Sequence, residues 1–143
     1  MKIREIMTPD AQCVGPEETL VDAAALMRQL DVGVLPVCNE GEVVGMITDR
    51  DIAIRAVADA RPPTTTRVRE VMSPGTVYVY EDQDVDEVVH VLEDHRIRRA
   101  PVMTREKRLV GIVSLGDIAV DGSSTELSGE ALKRVSQPAE PVR

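Results

Sequence analysis

Phenylalanine and tryptophan are absent from this chain of 143 residues, and only Tyr78 and Tyr80 supply aromatic rings. The interior must therefore be built from Val, Ile, Leu, Met and Ala. Base-stacking platforms for single-stranded nucleic acid need several exposed rings, and that class is excluded. Positive charge is in deficit, with 17 Lys and Arg against 25 Asp and Glu, a formal net charge of −8. An acidic surface argues against nonspecific binding to nucleic-acid backbones or anionic membranes. No apolar run approaches the ~20 residues of a membrane span. The opening Met1-Lys2-Ile3-Arg4-Glu5 has no hydrophobic stretch behind its charges, so no signal peptide is expected. The two cysteines, Cys13 and Cys38, form no CxxC pair. A reduced, cytoplasmic compartment is the expectation. Catalytic fingerprints are missing as well: there is no P-loop, no Rossmann glycine pattern, no Gly-x-Ser-x-Gly and no His-Glu-x-x-His, so no enzyme is expected.

What the chain does have is an internal repeat. Ile3-Arg4-Glu5-Ile6-Met7-Thr8-Pro9 returns as Val68-Arg69-Glu70-Val71-Met72-Ser73-Pro74. Leu35-Pro36-Val37 returns as Ala100-Pro101-Val102, and Val44-Gly45-Met46-Ile47-Thr48-Asp49-Arg50-Asp51-Ile52 as Val110-Gly111-Ile112-Val113-Ser114-Leu115-Gly116-Asp117-Ile118. The spacing is 65 residues from Pro9 to Pro74 and 66 from Gly45 to Gly111, with the extra residue near Lys107. Two copies are too few for a solenoid, so a closed pair with pseudo-twofold symmetry is expected.

Each copy reads in the same order. A Met-Thr/Ser-Pro turn opens it, and a short strand follows (12–14; 77–80). A helix comes next, capped by Thr19 with Leu20, Ala23, Ala24 and Met27 on one face, or by Asp84 with Val85, Val88, Val89 and Leu92. Two strands then form a hairpin through Asn39-Glu40-Gly41 (33–38 and 43–47), with counterparts at 98–103 and 109–113. A second helix runs from Asp49 to about Ala58, and Arg61-Pro62-Pro63-Thr64-Thr65-Thr66 is a linker. The expected division is 1–60, 61–122 and a polar tail, 123–143. In that tail 125–135 is helix-compatible, and Gln137-Pro138-Ala139-Glu140-Pro141 has a disordered composition.

Two β-α-β-β-α copies, each opening with Met-Thr/Ser-Pro and closing with Gly-x-x-Thr/Ser-x-x-Asp, resemble a tandem pair of CBS domains, a Bateman module. The resemblance covers about residues 1–121. The cysteine positions are most similar to stand-alone pairs of the hypoxic response type. The resemblance implies an α+β fold and a regulatory module. Such a module binds AMP, ADP, ATP or S-adenosylmethionine in clefts between repeats and signals to a partner protein. It also implies a homodimer. No regulated domain accompanies the pair in this sequence, so the regulated partner is unknown.

The candidate residues each carry two readings. Thr48 with Asp51, and Ser114 with Asp117, lie three apart at a strand-to-helix junction. A carboxylate there accepts from ribose hydroxyls, and the hydroxyl holds a phosphate oxygen. The same geometry is that of a helix cap with an acid at its third position. Pro36, and Ala100 with Pro101, offer a flat face to a purine, or simply protect an edge strand. Between His95 and Arg108 the only acid is Glu106, among Arg96, Arg98, Arg99, Arg105, Lys107 and Arg108. Arginine suits bidentate phosphate contact. Strand alternation separates Arg98 from Arg99. Arg99 is assigned to the pocket with Ser114 and Asp117, and Arg98 to another cleft or a partner chain. The alternative is a solvated face that balances the acidic helix 84–94. Copy one has Gly33-Val34 at these positions and so lacks the strand cation, for which Arg50 is the substitute.

Cys13 and Cys38 have three readings: small buried hydrophobes, a redox-linked disulfide, or a metal site with a histidine. His90 and His95 are five apart, ~140° around a helix, and share no face. No metal site is expected. Two functions therefore compete: a nucleotide-sensing regulator, and a ligand-free dimeric scaffold or redox-linked stress protein.

Overall fold

In the computed structural model, residues 1–75, 77–121, 133 and 135 are described. The expectations for the tail at 125–135 and 137–141 lie outside them, apart from those two positions. Elements follow in chain order. A 3-10 turn, Ile3–Glu5, precedes β1 (Thr8–Pro9), α1 (Leu20–Leu30), β2 (Val34–Asn39), β3 (Glu42–Thr48) and α2 (Asp49–Ile52). The chain of α2 continues as a π-turn, Ala53–Val57. Then come α3 (Val68–Val71), β4 (Ser73–Pro74), β5 (Val79–Tyr80), α4 (Val85–Asp94), β6 (Arg99–Met103), β7 (Leu109–Ser114) and α5 (Leu115–Asp121). The fold is α+β, with two sheets and five α-helices among the described residues.

The compact units do not follow the sequence repeats. Unit I is Ala11–Thr76, and unit II is Met1–Asp10 with the chain from Val77 on. Each unit thus contains the opening segment of the other repeat. The sheet of unit I runs β2-β3-β4, and that of unit II runs β1-β7-β6-β5. Pro9 pairs with Gly111 in unit II, as Pro74 pairs with Gly45 in unit I. The matching hydrogen bonds repeat too. Ile3 N donates to Gln83 O at 2.9 Å and Val68 N to Glu18 O at 2.8 Å. Asp10 N donates to Val110 O and Gly75 N to Val44 O.

Two glycines make this pairing possible. A Cβ on Gly111 would lie 2.6 Å from Thr8 O, and one on Gly45 would lie 2.6 Å from Ser73 O. Both are closer than any side chain tolerates, so the opening strands approach only because these positions are bare.

Each unit has its own aliphatic core. Unit I buries Val14, Leu20, Ala23, Met27, Leu35, Val37, Ile47, Val68 and Val71. Unit II buries Ile3, Val79, Val85, Val88, Val89, Leu92, Val102, Val113 and Ile118. Burying a side chain of this kind contributes ~1.5–3 kcal/mol, so an interior without aromatic rings is sufficient. Ala24, expected on the buried face of α1, is exposed, and half-buried Leu26 and Leu30 pack in its place.

Thr19 caps α1 as expected: its Oγ1 accepts from Asp22 N at 3.3 Å, and Asp22 Oδ2 accepts from Thr19 N at 3.1 Å. Asp84 precedes α4 but makes no side-chain cap, and its carboxylate pairs with Lys2 Nζ at 3.1 Å. The first strand of copy one shrinks to a single parallel bridge, Val14 with Val37. The β2–β3 hairpin turns on Glu40 and Gly41, with φ of 51° and 82°. Positive φ at both central residues is what a tight two-residue hairpin requires. The linker is ordered against α1. Thr66 is buried, its hydroxyl donates to Pro62 O at 2.7 Å, and Leu20 N donates to Thr66 O.

Candidate functional site

The two Thr/Ser–Asp motifs fold into the same corner. In unit II the chain leaves β7 at Ser114 and turns into α5. Ser114 N donates to Asp117 Oδ2, and Asp117 N donates to Ser114 Oγ, each at 3.0 Å. In unit I Thr48 N donates to Asp51 Oδ2 and Asp51 N to Thr48 Oγ1, each again at 3.0 Å. The capping reading is therefore correct in both copies. It consumes one carboxylate oxygen and the hydroxyl's acceptor side. Among the described residues the second carboxylate oxygen of Asp117 has no hydrogen-bond or ion-pair partner, whereas that of Asp51 lies 3.9 Å from Arg55 Nε; both aspartates are half-buried. A fixed carboxylate with one open oxygen can accept from a vicinal diol.

What stands opposite the hydroxyl differs. In the β6–β7 register Arg99 faces Ser114, and in the β2–β3 register Val34 faces Thr48. Directly opposed residues share a sheet face with Cβ atoms ~4.5–5.5 Å apart. Arg99 thus stands beside the Ser114–Asp117 corner. Its side chain is exposed, and among the described residues it has no ion-pair partner. Arg98 precedes β6, where its carbonyl accepts from Leu115 N at 2.9 Å.

The edge-guard reading fits Pro36, on β2 at the end of the order β2-β3-β4, and not Pro101. Pro101 lies on β6, an interior strand of its sheet, one residue before the stretch that pairs with β5. Pro36 lies on β2, and its carbonyl accepts from Val14 N at 3.0 Å. Both rings are buried. Ala100, expected beside Pro101 on a ligand face, is fully buried in the core of unit II. Alternation puts Arg99 and Pro101 on the face away from that core.

Sequence reasoning missed Arg55. Its Nη1 donates to Val71 O and Met72 O at 3.2 Å, and its Nε lies 3.9 Å from Asp51 Oδ1. The only signal was its position one helical turn after Asp51. A second missed cluster holds both tyrosines. Arg105 lies 4.0 Å over the Tyr80 ring, pairs with both oxygens of Asp82, and Tyr78 meets Tyr80 edge-on. The Arg105 guanidinium holds the Asp82 carboxyl below its usual range. Arg105, counted with the basic cluster, is thus already neutralised.

Cys13 and Cys38 are free thiols in unit I, joined across the Val14–Val37 bridge. Cys13 is exposed and Cys38 half-buried. Burial, with a hydrogen bond from one thiol to the other, pushes Cys38 up to about 12. Among the described residues no group of three or more His, Cys, Asp and Glu side chains is placed to hold a metal ion. His95 Nδ1 is 2.9 Å from Val91 O. No helix among them is long and apolar enough to cross a membrane.

The family model for the CBS domain matches residues 3–57 and 68–120. The chain belongs to the CBS-domain family. Both matches span a complete strand–helix corner, so this is a tandem CBS pair. It is 43% identical over 117 residues to hypoxic response protein 1 of Mycobacterium tuberculosis (strain ATCC 25618 / H37Rv), covering 81% of each chain. A crystal structure of hypoxic response protein I, with two coordinated zinc ions, matches with a TM-score of 0.74 and 40% identity, covering 85% of this chain and 98% of that one. The CBS domain pair of protein MJ0100, in complex with 5′-methylthioadenosine and S-adenosylmethionine, matches with a TM-score of 0.75 and 26% identity, covering 88% and 98%.

Proposed function

We propose that this CBS pair is a non-catalytic regulatory module that binds adenosine-containing ligands of the AMP, ADP, ATP or S-adenosylmethionine class and signals to a partner protein by a change of geometry. The observation that carries the reading is the corner of unit II. There Asp117 keeps one oxygen for a ribose diol, and Arg99, without an ion-pair partner among the described residues, stands across from Ser114 for a phosphate. The adenosine compounds bound to the MJ0100 pair support the ligand class. Thr48 and Asp51 are the matching pair in unit I. Pro36 and Pro101 supply the apolar flank to a purine, with the backbone of Ala100 beside Pro101. Arg98 serves a neighbouring anion or a partner chain. A ligand shifts the module only by its differential affinity for two states, so the partner must read a geometry that the ligand prefers.

The test is calorimetry on the reduced, nucleotide-free protein with each of the four ligands. Asp117→Ala should abolish binding of at least one while the protein stays folded. Binding that survives this substitution unchanged overturns the assignment.

The working form is proposed to be a homodimer in the cytoplasm. Ile54 and Val57 in unit I and Val120 in unit II are the most exposed of the large apolar side chains among the described residues and are offered to a second copy. Sedimentation of Ile54→Glu against the unaltered chain tests this. A second reading has its own observation, two free cysteines, Cys13 and Cys38, each next to one partner of the Val14–Val37 bridge. In that reading the protein is a redox-linked scaffold. A disulfide reagent would take two electrons and two protons from the pair, and thiol titration before and after treatment decides it.

A further inference from the structure

The two opening segments are alike in sequence and unlike in how they are held. In unit I, Arg67 Nη1 donates to Glu17 O and Arg69 Nε to Glu17 Oε1, both at 2.9 Å. Arg61 pairs with Glu70, and Arg55 Nη1 donates to the carbonyls of Val71 and Met72 at 3.2 Å. Four arginines thus fasten 67–74. In unit II the matching positions are 2–9. Lys2 stands where Arg67 does and pairs with Asp84. Arg4 stands where Arg69 does, but Asp82, the match of Glu17, is taken by Arg105. Among the described residues exposed Arg4 has no ion-pair partner, and Lys2–Asp84 is the only ion pair that fastens the segment.

Covalent attachment differs in the same sense. Segment 67–74 lies inside Ala11–Thr76 and is tied to unit I at both ends. Met1–Asp10 belongs to unit II, yet the chain leaves it at Asp10–Ala11 for unit I. Gln12 and Cys13, just beyond, are exposed and lie outside any named helix or strand. The turn there carries strain. Asp10 has a φ of 56°, whereas its counterpart in unit I is Gly75, with a φ of 92°. Glycine enters that region freely, and an aspartate does not. The ground under the segment cannot stay bare. Ile3 is fully buried, Ile6 is buried beside it, Val85 N donates to Met1 O, and Thr8 and Pro9 pair with β7. Both grooves of this kind are filled by one pattern, apolar-Arg-Glu-apolar-Met-Thr/Ser-Pro.

We propose that Met1–Asp10 is a strap that two copies of this chain trade, each laying its own along β7 and the start of α4 in the other's unit II. The trade keeps every bond that the segment makes at home and relaxes the turn at Asp10. A strained hinge favours such a swap, and two reciprocal straps close a twofold dimer. Against it stands the lost freedom of the second copy, so the closed monomer prevails in dilute solution. A short tether gives the strap a local concentration in the millimolar range, and the relaxed hinges bring the threshold for the dimer below that. The proposal rests on the homodimer reading above and adds which segment the copies hold each other by.

The experiment traps the strap where it lies. Thr8 and Ile112 are opposed across β1 and β7. Thr8→Cys with Ile112→Cys, in a full chain that also carries Cys13→Ser and Cys38→Ala, is refolded from urea at protein concentrations from about 10 µM to about 1 mM and joined with a short bismaleimide. On denaturing electrophoresis a closed strap gives a linked monomer and a traded strap a linked dimer. The dimer share should rise with concentration. Asp10→Gly should lower it about fivefold or more at equal concentration, because glycine relieves the closed turn. Lys2→Cys with Asp84→Cys, opposed in an antiparallel bridge, is the second pair and should show the same rise. Linked monomer alone from both pairs at every concentration overturns the trade. So do dimer bands of equal strength in the single-cysteine variants, or a dimer share that Asp10→Gly leaves unchanged or raises. Sedimentation of the unaltered chain separates the two readings. A dimer there beside linked monomer alone overturns the trade and leaves the homodimer standing, and a monomer throughout overturns both.

Discussion

Gly111→Ala tests the exchange of opening segments between repeats. The new Cβ would sit 2.6 Å from Thr8 O and 2.8 Å from Met7 Sδ. A comfortable carbon–oxygen contact is ~3.3–3.6 Å, so the backbone of β1 must retreat by about 0.7 Å or more. The Met7 side chain can swing away, but the Thr8 carbonyl cannot without disturbing the pairing of Thr8 with Ile112 and Pro9 with Gly111. Overpacking of this kind costs ~1–3 kcal/mol, and each backbone hydrogen bond lost adds ~0.5–1.5 kcal/mol. Replacing glycine by alanine also restricts the unfolded chain, which offsets ~0.4–1 kcal/mol. The net expectation is a destabilisation of about 1–3 kcal/mol. Urea unfolding is the assay, followed by far-ultraviolet circular dichroism and by tyrosine fluorescence. Both tyrosines belong to unit II, as Gly111 does, so the fluorescence reports on the affected unit. Gly45→Ala is the matched perturbation in unit I, where Ser73 O stands at 2.6 Å. An unchanged or raised urea midpoint for Gly111→Ala would mean that β1 does not lie on β7, and the exchange would be wrong.

Further predictions concern helix starts, a helix glycine and the thiols. Ser114→Ala and Thr48→Ala each remove the acceptor for an aspartate N–H and should cost ~0.5–2 kcal/mol by urea unfolding; no loss would deny the capping boxes. Gly116→Ala places a Cβ 3.5 Å from Ser114 Oγ, an ordinary contact inside α5, and should stabilise by ~0.5–1 kcal/mol; a loss of that size would contradict the helix. Cys38 rises from an ordinary 9.0 to about 12 in the folded protein. Between those values the native state holds a proton that the unfolded chain has lost, so its contribution is complete below pH 9.0 and disappears as pH approaches about 12. The urea midpoint should therefore fall above pH 9.0 less steeply in Cys38→Ala than in the unaltered chain. Equal slopes would refute the assignment.

The sequence pattern carried the repeat, the hairpins, the apolar stripe of α4 and the Thr/Ser–Asp corners, because each is local chemistry. Position 99 was also legible, since strand alternation alone separates Arg99 from Arg98. The exchange of opening segments was not legible. Ile3–Pro9 and Val68–Pro74 are so alike that either could dock on Gly45 or on Gly111. Only the folded chain selects between them. Ala24 failed as a core residue, and Asp84, though it is the N-cap residue of α4, lacks the side-chain cap bond. A small residue at the margin of a stripe is buried or exposed by its neighbours' bulk, and a cap is lost when a lysine from the opening segment claims its carboxylate. Arg55 carried no signal because its partners, the carbonyls of Val71 and Met72, belong to the backbone of a distant segment. The asymmetry between corners was half legible, as a missing cation.

The central claim is that an adenosine ligand occupies the Ser114–Asp117 corner. Amide chemical shifts of isotope-labelled protein during an AMP titration test it most directly. Saturable shifts at Ser114, Asp117 and Arg99, lost in Asp117→Ala while the remaining spectrum is kept, are the predicted result. A titration that leaves those three amides unmoved would contradict the account.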